Sequence, residues 1–154
     1  MRARLDITKV APETYRAVAA LDRFVVKETG LEPRYIHLIK LLASHINGCA
    51  YCVDMHIREA RHTGLPDQWI NLVNVWRESP VYSDAERAVL AWTEALTLLA
   101  ETRAPDEAFE PLRAHFTEEQ IANITVAIST INVWNRVTVG LRTQHAVAPE
   151  TVAA

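Results

Sequence analysis

The chain has 154 residues, of which 49% are hydrophobic and 23% charged, with a formal net charge of −3. This size and composition predict one globular domain over residues 1–154 with a single core. Since the Lys and Arg residues form no dense run, the sequence argues against nucleic acid or a membrane surface as a partner. The N-terminus lacks an apolar signal segment and no stretch is long enough to span a membrane, so we expect a cytoplasmic protein.

Helical periodicity predicts four helices in the first half of the chain, each bounded by Gly, Pro or Asn-Gly breaks. They are expected from Thr14 to Gly30, from Pro33 to Asn47-Gly48, from about Cys49 to Thr63, and from Asp67 to Arg77.

Two capping boxes predict helix starts in the second half. They are Ser83-Asp84-Ala85-Glu86 and Thr117-Glu118-Glu119-Gln120. Apolar residues keep helical spacing from Ala85 to Leu99, and a shorter helix is expected between Pro105 and Pro111. Because no strand-like alternation is sustained, the predicted fold class is all-α, a single-domain bundle of about seven helices.

The last predicted helix is apolar on more than one face. Its main stripe, expected to point inward, is Ile121, Ile124, Ile128 and Ile131, and the apolar residues off this stripe are Val126, Val133, Trp134 and Val137. Such a helix lies either at the centre of a fold or against another subunit. We therefore expect a homo-oligomer, with a central helix in a monomer as the alternative.

The two cysteines of the chain lie together in Cys49-Ala50-Tyr51-Cys52, and His56 follows four residues later. Helix positions three or four apart share a face, so the two thiols and the imidazole are expected side by side. Such a set can close a short disulfide beside a proton carrier. It also offers three of the four ligands of a zinc site. In a reducing compartment, this motif is more often catalytic, redox-sensing or metal-binding than structural.

Lowering the pKa of a thiol does not by itself make a peroxidase. A drop of about two units from about 8.5 raises the thiolate fraction roughly 20-fold at pH 7 but lowers nucleophilicity roughly 8-fold. Proton delivery to the leaving oxygen can add about 10²–10⁴. The helix N-terminus favours Cys49 as the thiolate, whereas the adjacent His56 favours Cys52, which we prefer as the attacking residue.

Residues 43–56, Ala43-Ser44-His45-Ile46-Asn47-Gly48-Cys49-Ala50-Tyr51-Cys52-Val53-Asp54-Met55-His56, resemble the core motif of the AhpD-like alkylhydroperoxidases. These proteins belong to the carboxymuconolactone decarboxylase superfamily. The segments 75–87, 91–97 and 131–136 resemble the same group, so the resemblance covers most of residues 35–140. Within the last segment, Trp134-Asn135-Arg136 could line the site.

The resemblance implies an all-α fold, trimers or hexamers, and thiol-dependent reduction of a small hydroperoxide. It implies that Cys49 and Cys52 are the redox pair and that His56 is the proton-relay histidine. No metal or other cofactor is expected. The expected partner is an external reductant, which would be a dithiol, a lipoyl group or a thioredoxin-like protein.

Three positions depart from the family pattern. The usual glutamate twelve residues before the first cysteine is His37, the common glutamine four residues before it is His45, and the relay histidine between the cysteines is Tyr51. His37 could carry a proton in place of the carboxylate, and it is the fourth candidate catalytic residue. It could not orient an imidazolium as an anion does.

Three other functions stay open. A zinc-binding module could use Cys49, Cys52 and His56 with His45 or His37. An oligomeric protein could sense oxidants without turnover. A decarboxylase acting on a γ-lactone acid would not need the cysteine pair. The nearby charges Asp54, Arg58 and Glu59 are interpreted as solvated. The sequence names neither the peroxide nor the reductant.

Overall fold

The computed structural model describes residues 2–147, which contain α-helices and 3₁₀ helices and no strand, so the all-α prediction is confirmed. The nine α-helices of these residues are α1 Ile7–Val10, α2 Pro12–Lys27, α3 Pro33–Ile46, α4 Ala50–His62, α5 Asp67–Asn71, α6 Asp84–Thr97, α7 Leu99–Thr102, α8 Asp106–Phe109 and α9 Glu118–Leu141. The 3₁₀ helices are Val73–Val75 and Glu110–Ala114. No helix in this part of the chain is long and apolar enough to cross a membrane.

The helix starts follow local chemistry. Pro33 occupies the first turn of α3, where a missing backbone N–H costs nothing. Ser83 and Glu86 form the predicted capping box of α6, and Thr117 and Gln120 form that of α9. In each box, both the side chain and the backbone of the cap make hydrogen bonds.

Two predicted helix boundaries are wrong. The helix expected over Asp67–Arg77 ends at Asn71 and continues only as a 3₁₀ turn, because Asn and β-branched Val disfavour the α-helix. The helix expected to reach Leu99 ends at Thr97, and the Thr102 hydroxyl donates to the Ala95 carbonyl at 2.6 Å. The shorter helix expected between Pro105 and Pro111 is confirmed as α8, and Pro111 lies in the first turn of the 3₁₀ helix that follows it.

Helix α3 forms the centre of the fold. All nine residues of Ile36–Ser44 are buried, and the helix packs against α4, α6 and α9. Ile36, Ile39 and Ala43 belong to the hydrophobic cluster shared with α6 and α9, whereas Leu38, Leu41 and Leu42 belong to the cluster shared with α4 and α5. Because α3 is held on both sides, the side chains it carries and the turn that follows it have fixed positions.

Helix α9 packs its predicted stripe inward, since Ile121, Ile124, Ile128 and Ile131 are 6% exposed or less. Of the off-stripe residues, Val126 and Val133 are both 40% exposed, and Trp134 and Val137 are half-buried. The expectation of a second apolar face is therefore correct for this chain.

Glu86 links three helices from a buried position. It is 1% exposed and accepts hydrogen bonds from Arg34 at 2.7 Å, from Trp69 at 2.8 Å and from the Ser83 backbone at 2.8 Å. Burial alone would raise the pKa of Glu86. The hydrogen bonds from Ser83, Trp69 and Arg34 outweigh burial and hold this pKa below its ordinary value of 4.5.

We expect Glu86→Gln to lower the free energy of unfolding by about 2–4 kcal/mol at pH 7, because a neutral amide cannot replace the charge-assisted bonds. Glu13→Gln, which removes an exposed pair with Arg16, should cost less than about 0.5 kcal/mol. Urea denaturation measures both.

The loss of unfolding free energy caused by Glu86→Gln should depend on pH. A carboxyl whose pKa is lowered by folding stabilises the protein fully above its unfolded pKa and loses that contribution as the pH falls through the folded pKa. The difference between the wild type and Glu86→Gln should therefore shrink as the pH falls below 4.5. A difference that is the same at about pH 3 and pH 7 would contradict this role of Glu86.

Candidate active site

A tight turn after α3 places the first cysteine at the start of α4. Gly48 has a φ of +65°, in the left-handed region that glycine adopts most readily. The Cys49 backbone N–H donates to the Ser44 carbonyl at 2.9 Å. Cys49 is the N-cap of α4, and its Sγ accepts a hydrogen bond from the Cys52 backbone N–H at 3.3 Å. The prediction that Cys49 begins its helix is confirmed.

A cluster of amides fixes this turn to α9. Asn47 donates to the side-chain oxygens of Asn132 and Asn135, both at 2.9 Å. Asn135 donates to the Ser44 hydroxyl at 3.0 Å, and Asn132 donates to the Thr97 hydroxyl at 3.1 Å. Since Asn132 and Asn135 are buried, each of these bonds satisfies a group that water cannot reach. The cluster therefore holds the turn before Cys49 against α9.

The two cysteines form a buried pair. Their sulfurs are joined in a disulfide with the Cα atoms 5.3 Å apart, and the residues are 1% and 2% exposed. The Cys52 Sγ lies 3.4 Å from the Thr138 hydroxyl of α9. Cys52 contributes to the wall of an open cleft of about 980 Å³, whereas Cys49 does not. A molecule in the cleft would therefore meet Cys52 first.

His56 lies one helical turn after Cys52 and is 2% exposed. Its Nδ1 lies 2.8 Å from Glu59 Oε2, and the hydrogen bond with His56 lowers the pKa of Glu59. Glu59 is thus an ionised acceptor at neutral pH, so that His56 Nδ1 donates the proton. A neutral His56 then carries its lone pair on Nε2, which is buried without a partner in residues 2–147.

Glu59 is exposed, as its interpretation as a solvated charge requires, but that interpretation missed its hydrogen bond with His56. Its carboxylate, 48% exposed, lies against His56 from the next turn of the same helix. The His56-x-x-Glu59 spacing was the available signal, because residues three apart on a helix meet. Glu59 is therefore a carboxylate in contact with His56, whereas position 37, where the family pattern usually has a glutamate, is a histidine.

His37 lies in the same cleft wall and is 8% exposed. Its Nε2 is 3.2 Å from the Thr63 hydroxyl, and that hydroxyl donates its one proton to the Ala60 carbonyl at 2.8 Å. His37 must therefore donate from Nε2. Burial lowers the pKa of His37 below 6.5, although Glu59 opposes the shift, so the ring is neutral at pH 7. Its lone pair is then on Nδ1, which is buried without a partner in residues 2–147.

The remaining sequence candidates lie at different places. Tyr51 and Trp134 line the cleft, whereas His45 is half-buried outside it, and burial lowers the pKa of His45. The structure thus brings His37, Cys52 and His56 to one cleft, with Cys49 behind Cys52. In the described part of the chain, no group of three His, Cys, Asp or Glu side chains is arranged to hold a metal ion. The expectation of a metal-free site stays a prediction.

Asn47→Ala should lower the free energy of unfolding by about 1–3 kcal/mol, because it leaves the buried oxygen of Asn135 without its donor. It should also speed the reaction of the reduced cysteines with a thiol reagent, since the turn loses its bonds to α9. Asn74→Ala, at an exposed position, is the control. Denaturation and thiol-labelling rates equal to those of the wild type would contradict this role of Asn47.

The sequence pattern of the carboxymuconolactone decarboxylase family matches residues 12–95. The uncharacterized protein YdfG of Bacillus subtilis (strain 168) is 34% identical over 141 residues, which cover 92% of this chain and 95% of YdfG.

Solved structures show the same architecture. A protein of unknown function from Agrobacterium tumefaciens, whose description suggests the antioxidant defence protein AhpD, is 60% identical. The match has a TM-score of 0.93 and covers 96% of this chain and all of the other. An uncharacterized peroxidase-related protein from Silicibacter sp. TM1040 has a TM-score of 0.76 at 23% identity, and the match covers 86% of this chain and 70% of the other. This second match concerns the fold alone.

Proposed function

Because the chain belongs to the carboxymuconolactone decarboxylase family and has the AhpD-like fold, we propose that it is a thiol-dependent peroxidase. One observation carries the proposal. Cys52 faces an open cleft, paired with the buried Cys49 and one turn from a histidine whose protonation Glu59 fixes. A decarboxylase would not need the cysteine pair.

In the first step, the Cys52 sulfur attacks the terminal oxygen of the hydroperoxide. The S–O bond forms as the O–O bond breaks, which gives a sulfenic acid and an alkoxide. His56 Nε2 takes the thiol proton and returns it to the departing oxygen, so that an alcohol leaves. Glu59 positions the ring and stabilises the imidazolium between these two transfers.

In the second step, the Cys49 sulfur attacks the sulfenic sulfur of Cys52. The S–OH bond breaks, and its hydroxide leaves as water with the Cys49 proton. The backbone N–H of Cys52 and the N-terminus of α4 favour the Cys49 thiolate, so Cys49 suits the resolving role. Overall, the hydroperoxide is reduced to alcohol and water while two thiols become the disulfide.

An external dithiol must then return the enzyme to its reduced form by thiol–disulfide exchange. Because Cys52 lines the cleft and Cys49 does not, the reductant is proposed to attack the Cys52 sulfur. A lipoyl group or a thioredoxin-like protein has the required pair of thiols. A cytoplasmic location fits this cycle, since reductants of this class are maintained there.

We also propose a homo-oligomer, a trimer or hexamer. Leu21 and Phe24 on α2 are 42% and 46% exposed, and α2 packs beside α9, whose Val126 and Val133 are each 40% exposed. Two neighbouring helices with apolar outer faces are typical of a subunit interface. In sedimentation experiments at micromolar concentration, we expect a species several times heavier than the 17.3 kDa chain. A monomer would contradict the proposal.

His56→Ala should slow steady-state peroxide reduction at pH 7 by about 10²-fold or more, because proton delivery contributes more than thiolate formation. Raising the pH until the Cys52 thiol is ionised should restore little of the loss. His45→Ala, which changes a histidine outside the cleft, is the matched control and should retain activity.

Two outcomes would contradict this account. If the variant recovers the wild-type rate at high pH, His56 only tunes the thiol pKa. If the wild type forms its disulfide with one equivalent of peroxide but does not turn over with a dithiol, the protein is an oxidant sensor.

A further inference from the structure

The cleft extends beyond Cys52 and carries unpaired positive charge. Arg23 and Lys27, one turn apart on α2, both line it, and neither forms an ion pair in residues 2–147. Lys27 also lies in the last turn of α2, where a cation interacts well with the helix dipole. The helix dipole does not explain why Arg23 lies unpaired in the cleft, because Arg23 is a full turn before the last turn of α2.

The acids of the same cleft do not neutralise these cations. Each cleft acid is already engaged by another group: Asp6 by Lys9, Asp22 by Lys40 and Glu59 by His56. The Asp22–Lys40 pair, 2.9 Å apart, is largely buried. The cleft thus carries three cations and three acids, and Arg23 and Lys27 are the two cations that have no ion-pair partner in residues 2–147.

The positions of these cations along α2, relative to the end of the cleft that contains Cys52, follow from helix geometry. Tyr15 on α2 packs against Trp134 on α9, with ring centroids 5.4 Å apart. Thr138, one turn after Trp134, contacts Cys52. Tyr15 thus marks the sulfur end of the cleft. Arg23 and Lys27 lie eight and twelve residues further along α2, or about 12 and 18 Å at the helical rise.

Most of the surface of the cleft wall is apolar. Four helices contribute apolar side chains to it, among them Ala19, Val26, Ile36, Met55 and Val137. A volume of about 980 Å³ corresponds to a sizeable organic ligand rather than to hydrogen peroxide. The site thus has a reactive thiol at one end, an apolar passage and two free cations at the other end.

We infer that the preferred substrate is a long-chain fatty-acid hydroperoxide, with its carboxylate at Arg23 and Lys27 and its peroxide at Cys52. This inference rests on the proposed peroxidase function. The hydroperoxy acid would be reduced to the hydroxy acid and water as the two thiols become the disulfide. The carboxylate does not react and only positions the chain.

The binding test uses dodecanoate and dodecanol, which share a chain and differ in charge, on the oxidised protein. Tryptophan fluorescence reports binding because Trp134 lines the cleft. The double variant Arg23→Gln, Lys27→Gln should bind dodecanoate about 3–10-fold more weakly than the wild type, and high salt should reduce the difference. Its affinity for dodecanol should not change.

Two controls separate charge from folding. Arg16→Gln removes a cation of α2 that is paired with Glu13 outside the cleft, and it should bind like the wild type. The double variant Arg23→Lys, Lys27→Arg keeps both charges and should retain most of the affinity for dodecanoate. Thermal unfolding should show that all variants are folded.

The kinetic test compares linoleic acid hydroperoxide with its methyl ester, and the wild type should show a kcat/KM about 3–10-fold higher for the acid. This preference should disappear in the double glutamine variant. Equal binding of dodecanoate and dodecanol by the wild type, or unchanged dodecanoate binding by the glutamine variant, would overturn the inference. If dodecanoate binds as expected and no hydroperoxide is turned over, the peroxidase proposal fails while the carboxylate site stands.

Discussion

The hydrogen bonds from the Asn47 amide to α9 are the interaction on which the rest of the site depends. They hold the turn that ends α3 and begins α4, and α3 is itself fixed because the core surrounds it. With the turn in place, Cys49 caps α4 and Cys52 lies on the first turn, against Thr138 of α9. Helix α9 thus holds the cysteine pair in place, while Cys52 lines the cleft.

Helix α4 also carries the residues of the proposed proton transfer. His56 and Glu59 follow Cys52 at one-turn intervals, so a single α-helix carries the three residues that we propose as the nucleophile, the proton carrier and the anion that orients it. In the proposed relay, Glu59 supplies the carboxylate that is absent at position 37. His37 donates to Thr63 and keeps a lone pair on its buried Nδ1, which has no partner in residues 2–147.

Local features of the chain were predictable from the sequence, whereas contacts between distant segments were not. Capping boxes and prolines act within one turn, so the starts of α3, α6 and α9 are correct. The shared face of Cys49, Cys52 and His56 follows from spacing alone. The amide cluster joins residues more than 80 positions apart, and no periodicity reveals it. The end of α5 at Asn71 depends on small differences in helix propensity, which are too weak to predict a helix end from the sequence.

In the proposed reaction, Cys52 attacks the peroxide and Cys49 resolves the product. The most direct measurement treats the reduced single variants Cys49→Ser and Cys52→Ser with one equivalent of hydroperoxide in the presence of dimedone, followed by peptide mass spectrometry. The account predicts a sulfenic acid adduct on Cys52 in Cys49→Ser and little labelling of Cys49 in Cys52→Ser. Rapid labelling of Cys49 in Cys52→Ser, with none on Cys52 in the other variant, would contradict it.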